Sequence, residues 1–406
     1  MTTMIPLDVY EHILSHVADD DKPIIALATC SLVSRYILSL CRKHIFHTVK
    51  LSYEQHKRLF QFQQLLISDP TIGSYVRKLI LIDTIAIGYT QMLAKYDLKM
   101  PRMLRTFTGV QVLDIRCLSG TMSWIDLGEG TSSVLDELMK SEQFVSLHLY
   151  GISSLPMSAL IKWTAVRKLS LSSVGIEDDL NNASAQVAGR VTRLAFCNSN
   201  ESICLLARCR SFDLSQLSII EWTPKTEQEM LEGSQDAFPL IGLHRVDNFE
   251  CDLTKYRNAR TSIFYRHFSL QSLPSIRVFT LRFLPWPFRT SAISLGRSLR
   301  TLLDTFITSN NLEELTVVLA NLPFPSRTTS VIIGKASLSE VDELLTSARF
   351  SRLRKVTFKI EVLPKISTST SSTDIDSEYD PLLNPFRQQL LELNTSSTID
   401  LTVAVV

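Results

Sequence analysis

The sequence predicts an α/β chain in which a small three-helix N-terminal unit is followed by an irregular α/β solenoid with a parallel sheet. Two observations lead to this prediction. Apolar residues recur at helical spacing through roughly the first fifty residues. After residue 76, short strands with a leucine-x-leucine core alternate with helical or loop segments. That alternation favours parallel pairing, because two neighbouring parallel strands need a long crossover connection between them.

The N-terminal unit is predicted to contain three short helices that end near residue 49. Pro6 suits the first position of a helix, since it has no amide hydrogen to leave unpaired, and Pro23 is expected to begin the second helix. Four apolar residues recur at i, i+3, i+4 and i+7 in the first helix: Tyr10, Ile13, Leu14 and Val17. A unit this small has little core, so its apolar stripe is expected to meet a partner.

Eleven strands are predicted beyond a linking helix that spans residues 52–69. Their cores lie at 76–82, 110–116, 144–150, 165–171, 190–196, 214–220, 243–249, 275–281, 312–318, 353–359 and 398–404. The first six cores begin at Leu79, Leu113, Leu147, Leu169, Leu194 and Leu217, in steps of 34, 34, 22, 25 and 23 residues. This repetition is similar to degenerate leucine-rich repeats, whose units bury their apolar faces only by stacking on neighbours. Several unrelated α/β units are the alternative.

Composition and charge disfavour a nucleic-acid-binding, a secreted or a membrane-spanning protein. The chain has 406 residues and a formal net charge of +1, which disfavours nucleic-acid binding because phosphate backbones attract strongly basic surfaces. Seven scattered cysteines are typical of reduced thiols inside a cell. Asp8 and Glu11 interrupt any signal peptide, and the apolar runs are too short to cross a membrane. We therefore expect a cytoplasmic or nuclear protein that has no membrane partner.

The first fifty residues carry an ordered set of motifs. They are Ile5-Pro6-Leu7-Asp8-Val9, Ile13-Leu14, Leu27, Cys30-Ser31-Leu32-Val33-Ser34-Arg35 and His44-Ile45-Phe46-His47-Thr48-Val49-Lys50-Leu51. In this order and spacing they resemble an F-box, particularly the fungal form. The resemblance implies an F-box at 1–50, a linking helix at 51–75 and a leucine-rich-repeat-like substrate-binding domain at 76–406.

The resemblance also implies a function in binding without catalysis. An F-box docks on the Skp-type adaptor of an SCF ubiquitin ligase, and through it on a cullin, while the rest of the chain captures a protein substrate. The residues assigned to the adaptor interface or its supporting core are Ile5, Pro6, Val9, Ile13, Leu14, Leu27, Leu32, Val33 and Ile37. Leu27 and Leu32 are expected in the core. Ile37 stands where the family typically has tryptophan, so a non-degradative binding or scaffold protein is the alternative.

Proline-flanked segments follow three late strands. They are Leu284-Pro285-Trp286-Pro287, Leu322-Pro323-Phe324-Pro325 and Leu363-Pro364. Prolines end a strand and stiffen the loop, and an aromatic ring between two prolines is ordered at low entropic cost, as recognition anchors often are. The predicted substrate-binding residues are Trp286, Phe288, Arg289, Phe324 and Arg327. Alternatively, Trp286 and Phe324 fill gaps between repeats.

The sequence contains no motif typical of catalysis or of a metal site. His12 and His16 have the spacing of two helical metal ligands, but no third ligand is near them in sequence. No catalytic residue, metal or cofactor is therefore predicted. A run of seven hydroxyl residues at 367–373 precedes an acidic stretch. Because it has almost nothing apolar to bury, this Ser/Thr-rich segment at 366–380 is predicted to be a flexible surface loop.

Overall fold

The chain folds into two units, each of which combines helices with a parallel sheet. The computed structural model describes residues 6–18, 23–52, 56–83, 99–118, 120–180, 190–209, 211–241, 245–254, 270–283, 295–306, 311–322, 338–362 and 388–405. The first unit is Met1–Arg190 with Ser211–Asp213, and the second is Val191–Arg210 with Leu214–Val406. The predicted α/β class and the parallel pairing are confirmed. The boundary between the units falls inside the predicted repeat domain.

Three helices begin the first unit: α1 (Leu7–Ala18), α2 (Pro23–Ser31) and α3 (Arg35–Ile45). α2 begins at its proline, as predicted, whereas α1 begins one residue after Pro6. Ser34 caps α3, because its hydroxyl accepts a hydrogen bond from the Ile37 backbone N–H at 3.1 Å. The cap ends the turn after α2 and sets the direction in which α3 starts.

The rest of the first unit is built around five parallel strands. Its strands are β1 (Thr48–Ser52), β2 (Lys78–Asp83), β3 (Val112–Cys117), β4 (Met122–Ser123), β5 (Ser146–Tyr150), β6 (Ile152–Ser153), β7 (Leu155–Pro156), β8 (Lys168–Ser172) and β9 (Ile176–Glu177). The main sheet has the order β1-β2-β3-β5-β8, and β4 pairs with β6 and β7 with β9. The further helices are α4 (His56–Ser68), α5 (Met100–Leu104), α6 (Glu129–Lys140) and α7 (Met157–Lys162).

The first strand was not among the predicted ones. β1 lies at the end of the segment assigned to the three-helix unit and pairs in parallel with β2. Just before it, the His47 carbonyl accepts hydrogen bonds from the backbone N–H groups of Arg77 and Lys78 at 3.0 and 2.9 Å. The chain therefore passes from α3 directly into the sheet. A fragment that starts at residue 52 lacks this strand and leaves one edge of β2 unpaired.

In the described part of the second unit, seven parallel strands form the sheet. They are β10 (Arg193–Cys197), β11 (Ile219–Trp222), β12 (Asn248–Asp252), β13 (Val278–Phe283), β14 (Glu314–Leu322), β15 (Lys355–Val362) and β16 (Asp400–Val405), paired in chain order. The helices are α8 (Asn200–Arg208), α9 (Glu227–Glu232), α10 (Phe238–Ile241), α11 (Leu295–Leu303), α12 (Ser339–Thr346) and α13 (Leu391–Thr395). α11 packs on α12, and α12 packs on α13.

All eleven predicted strands are present, but the sixth and the seventh begin about five residues later than predicted, at Ile219 and Asn248. The reason is visible in the sixth. Its L-x-L core does not begin at Leu217, because Leu194 of β10 pairs with Ile220 of β11. Apolar residues at alternate positions of this segment can begin at Leu217 or at Ile220. Only pairing with the neighbouring strand decides which set faces the core. Leu217 instead occupies a buried position three residues before the core. The same position is filled by Val76, Val110, Phe144, Val166, Val191, Val246, Ile276, Leu312 and Leu353, all of them buried.

A ladder of aromatic rings runs through the core of the second unit. Its members are Trp222, Phe238, Phe249, Phe279, Phe306 and Phe350. Neighbouring rings lie 4.9 to 6.0 Å apart between centroids, within the range in which edge-to-face and offset-stacked pairs attract each other. Because strands supply Trp222, Phe249 and Phe279 while the segments that cover the sheet supply Phe238, Phe306 and Phe350, the ladder joins the sheet to those segments.

Replacing Gly151 with alanine is expected to destabilise the first unit by about 1–3 kcal/mol. Gly151 has a φ of +67°, and a Cβ there would lie 2.6 Å from the Cys117 carbonyl oxygen. Gly175→Ala is the matched control, since the nearest atom to its added Cβ lies at 3.8 Å and its φ is not positive. Urea denaturation of both variants measures the difference. Equal free energies of unfolding for the two variants would contradict the steric argument.

Candidate partner-docking surface

The three-helix unit has a small core of its own. Its four buried residues are Leu14 of α1, Leu27 of α2, and Leu40 and Cys41 of α3. Partly buried residues surround them: Tyr10, Val17, Ala18, Cys30, Ile37 and Ile45. The core therefore uses only one side of α1 and one side of α2, which leaves the rest of their apolar residues facing outwards.

Among its described residues, this unit exposes eight large apolar side chains. They are Leu7, Val9 and Ile13 of α1, Ile24 and Ile25 of α2, Leu32 and Val33 of the turn after α2, and Tyr36 of α3. We call this set the apolar surface. Ile13 is 51% exposed, Val33 71% and Leu32 86%. So many exposed large apolar residues on a unit of this size favour the binding of a partner.

The predicted adaptor-binding residues differ in burial. Val9, Ile13, Leu32 and Val33 belong to the apolar surface. Leu14, Leu27 and Ile37 form or support the core, whereas Pro6 is exposed just before α1 and Ile5 lies outside the described residues. The expected core position of Leu27 is confirmed. That of Leu32 is wrong, because α2 ends at Ser31 and the turn carries Leu32 outwards.

Four members of the apolar surface were missed in the sequence: Leu7, Ile24, Ile25 and Tyr36. The sequence pattern of α2 did indicate two of them, Ile24 and Ile25. In α2, apolar residues occur on all sides of the helix, a pattern found when a helix is buried all round or covered by a partner. Only the position of Leu27 in the core decides that Ile24 and Ile25 face outwards.

An ion pair joins the three-helix unit to a segment that follows it, and another joins two of its own helices. Arg42 of α3 forms a salt bridge of 2.9 Å with Asp69. Asp69 begins a 3₁₀-helix at Pro70–Tyr75, and the Thr71 hydroxyl followed by Arg42 lowers the pKa of its carboxyl. Within the unit, Lys43 of α3 pairs with Glu11 of α1 at 3.0 Å. The Arg42–Asp69 pair therefore fixes α3 to the segment that precedes β2.

The predicted substrate-binding residues Trp286, Phe288, Arg289, Phe324 and Arg327 lie outside the described residues, as do Leu363, Pro364 and the segment 366–380. In the second unit, the sheet face opposite the L-x-L residues is charged. Glu221 of β11 is in register with Glu250 of β12, and Arg193 pairs with Glu221. Burial raises the pKa of the Glu250 carboxyl, and the charges of Glu221 and Asp252 raise it further.

Glu250→Gln is expected to stabilise the second unit at neutral pH, because two carboxylates directly opposite each other repel. The pKa of Glu250 is raised on folding, so its ionised form is disfavoured in the folded chain. Its destabilising effect is therefore absent at low pH and appears as the pH rises through the raised pKa. Urea denaturation between pH 4 and 8 checks this, with the exposed Glu314→Gln of β14 as control. Loss of stability in Glu250→Gln at pH 7 would contradict it.

Ser146, His148 and Asp114 come together on the sheet of the first unit. The Ser146 hydroxyl lies 2.9 Å from His148 Nε2, and His148 is in register with Asp114. This arrangement does not form a nucleophilic site. Both Asp114 carboxylate oxygens accept hydrogen bonds from Arg116, Ser146 is buried, and the nearby backbone N–H groups belong to the sheet ladder and cannot stabilise an oxyanion.

Neither a metal-binding cluster nor a membrane-spanning helix is found among the described residues. Across the described residues, no three His, Cys, Asp or Glu side chains gather in a way that could hold a metal ion. The paired imidazoles of His12 and His16 lie 3.2 Å apart through their Nε2 atoms. None of the helices in this part of the chain is long and apolar enough to cross a membrane. All seven cysteines carry free thiols.

Comparison of the chain with protein-family models and with curated proteins finds no match. The F-box resemblance therefore rests on the quoted residues of the first fifty positions.

Proposed function

We propose that this chain is the substrate-recognition subunit of an SCF-type, cullin-based E3 ubiquitin ligase. The three-helix unit docks on a Skp-type adaptor through the apolar surface, and the parallel-sheet region captures a protein substrate. The subunit positions the substrate and performs no covalent step itself. The observation that carries the proposal is the apolar surface: eight exposed apolar side chains on a unit whose core has only four buried residues.

The energetics of the apolar surface favour a permanent or high-affinity partner. Each side chain that becomes fully buried on binding contributes about 1.5–3 kcal/mol. In the free chain these side chains stay in water and add nothing to stability. The small core therefore leaves the three-helix unit marginally stable. A helical protein partner that covers α1, α2 and the turn between α2 and α3 therefore also stabilises the fold of this unit.

Affinity purification of the full chain from cells tests the proposal. Recovery of both the adaptor and the cullin, together with ubiquitin transfer to a co-purified protein, is the expected result. Recovery of the adaptor without cullin supports the non-degradative binding or scaffold protein, which the smaller contact of Ile37 would favour. Failure of the purified chain to bind recombinant Skp-type adaptor would overturn the F-box assignment itself.

A further inference from the structure

A pocket of about 340 Å³ lies in the first unit, where the three-helix unit meets the first strands. α1 contributes Glu11, α3 contributes Lys43 and His44, and the approach to β1 contributes His47. Tyr75 and Arg77, just before β2, complete the lining that matters here. Pockets that bind small ligands span about 300–1,000 Å³, so the volume suits a small polar group.

The pocket is positively charged. Lys43 and Arg77 are cations, and Glu11, the single carboxylate among the described lining residues, is already paired with Lys43 at 3.0 Å. Burial lowers the pKa of His47, and Arg77, His44 and Lys78 lower it further. A histidine whose protonation is opposed by three neighbouring basic groups lies in a positive potential, which an anion would relieve.

The arginine is held in place by the fold. Arg77 Nη1 donates to the Ser74 carbonyl at 2.6 Å and to the Gly109 carbonyl at 3.2 Å. Gly109 makes room for this contact, since a Cβ there would lie 1.9 Å from Arg77 Nη1. The positive charge is therefore positioned before any ligand arrives, so little side-chain entropy is lost on binding.

We propose that this pocket binds a phosphate monoester. Lys43, His44, His47 and the Tyr75 hydroxyl donate hydrogen bonds to the phosphate oxygens, while the fixed guanidinium of Arg77 supplies charge. The ligand class follows from the donors, because they are cationic or neutral N–H and O–H groups that converge from separate segments, and tetrahedral oxyanions accept from several directions.

Glu11 competes with a bound anion for Lys43. Its carboxylate accepts a hydrogen bond from Lys43 Nζ at 3.0 Å, and a bound phosphate must share or displace this contact. Glu11→Gln therefore tightens phosphate binding, whereas Lys43→Gln weakens it by about tenfold, the effect of one charge-assisted hydrogen bond of about 1.4 kcal/mol. Lys140→Gln, at the exposed end of α6, is the matched control. If the loss of any surface charge weakened phosphate binding, this variant would bind phosphate as weakly as Lys43→Gln.

Calorimetric titration of the full chain with inorganic phosphate at constant ionic strength provides the test, together with Glu11→Gln, Lys43→Gln and Lys140→Gln. Tighter binding by the first, weaker binding by the second and no change in the third support the site. His44→Gln serves if Lys43→Gln does not fold. A phosphoserine peptide and its unphosphorylated form distinguish a partner's side chain from a free ligand as the source. Lys43-dependent binding of either phosphate form supports the pocket, and binding of neither overturns it.

The pH dependence gives an independent readout. Sulfate keeps its charge between pH 6 and 8, so any change in its affinity reports on the protein. His47 faces Arg77, His44 and Lys78, lies beside Lys43 and Glu11 in the pocket, and contacts the Thr48 hydroxyl at 3.3 Å. Because an anion favours protonated His47, sulfate affinity is expected to rise by up to about tenfold from pH 8 to pH 6. The same pH slope in His47→Asn would overturn the role of His47.

Discussion

The double substitution Ile13→Asp with Val33→Asp is expected to weaken binding to a Skp-type adaptor by at least about 100-fold, since each position is a candidate hot spot worth about 2 kcal/mol or more. Both side chains are exposed, at 51% and 71%, so the carboxylates are solvated in the free chain. In the complex each would be buried against apolar side chains without a partner charge. The fold is therefore retained while docking is lost.

A matched control separates docking from a general effect of added charge. Ile67 of α4 and Ile125 are isoleucines exposed at 58% and 73% outside the three-helix unit. Ile67→Asp with Ile125→Asp should bind the adaptor as the unchanged chain does. Leu14→Asp is unsuitable as a docking variant, because Leu14 is 4% exposed and its substitution unfolds the three-helix core. Adaptor affinities that are equal in the two double variants would contradict the docking surface.

Phe279→Ala is expected to destabilise the second unit by about 3–5 kcal/mol, the cost of removing a fully buried aromatic side chain. Phe279 stacks on Phe249 at 5.8 Å and meets Phe306 edge-to-face, also at 5.8 Å. The substitution leaves a cavity and breaks the aromatic ladder at a central position. Because β13 pairs with β12 and β14, the loss extends to both neighbouring strands.

Hydrogen exchange measured on peptides from β12, β13 and β14 localises this effect. Protection of these strands should fall in Phe279→Ala. Thr280→Ala is the control on the adjacent position of β13, whose side chain lies on the opposite face of the sheet. Phe279→Leu, which keeps much of the volume, should be intermediate. Unchanged protection in Phe279→Ala would show that the ladder does not stabilise the sheet.

The strands of the repeat region were predictable because their signal is local. In an L-x-L core two apolar residues point to the same face, and the polar residue between them points to the other. Leu113 and Leu147 were placed in matching positions on that basis, and they are paired in the structure. The prediction failed at Leu217, where LSQLSII contains two possible phases. Pairing of Leu194 with Ile220 decides between them, and no single strand carries that information.

The proposed docking surface was predictable only in part. Helical spacing grouped Ile13 with Tyr10, Leu14 and Val17 in one apolar stripe, but the structure divides that stripe. Leu14 is buried in the core with Tyr10 and Val17 packed against it, whereas Ile13 is exposed. Neighbouring positions on a helix differ by about 100°, so a shift in the packing of α1 on α2 exchanges a core residue for a surface residue. Likewise, the N-terminal motif ended at Leu51 in the sequence, whereas in the structure its last residues form β1 of the sheet.

By itself, the sequence determined the α/β class, the three helices and the eleven strands that were predicted, because each depends on residue spacing within one short segment. Tertiary structure alone decided that Leu32 faces outwards, that β1 joins the sheet, and that Glu11, Lys43, His47 and Arg77 line one pocket. Burial and juxtaposition depend on which segments pack together. Which segments pack together depends on the balance of many weak contacts across the whole fold, and no local sequence pattern predicts it.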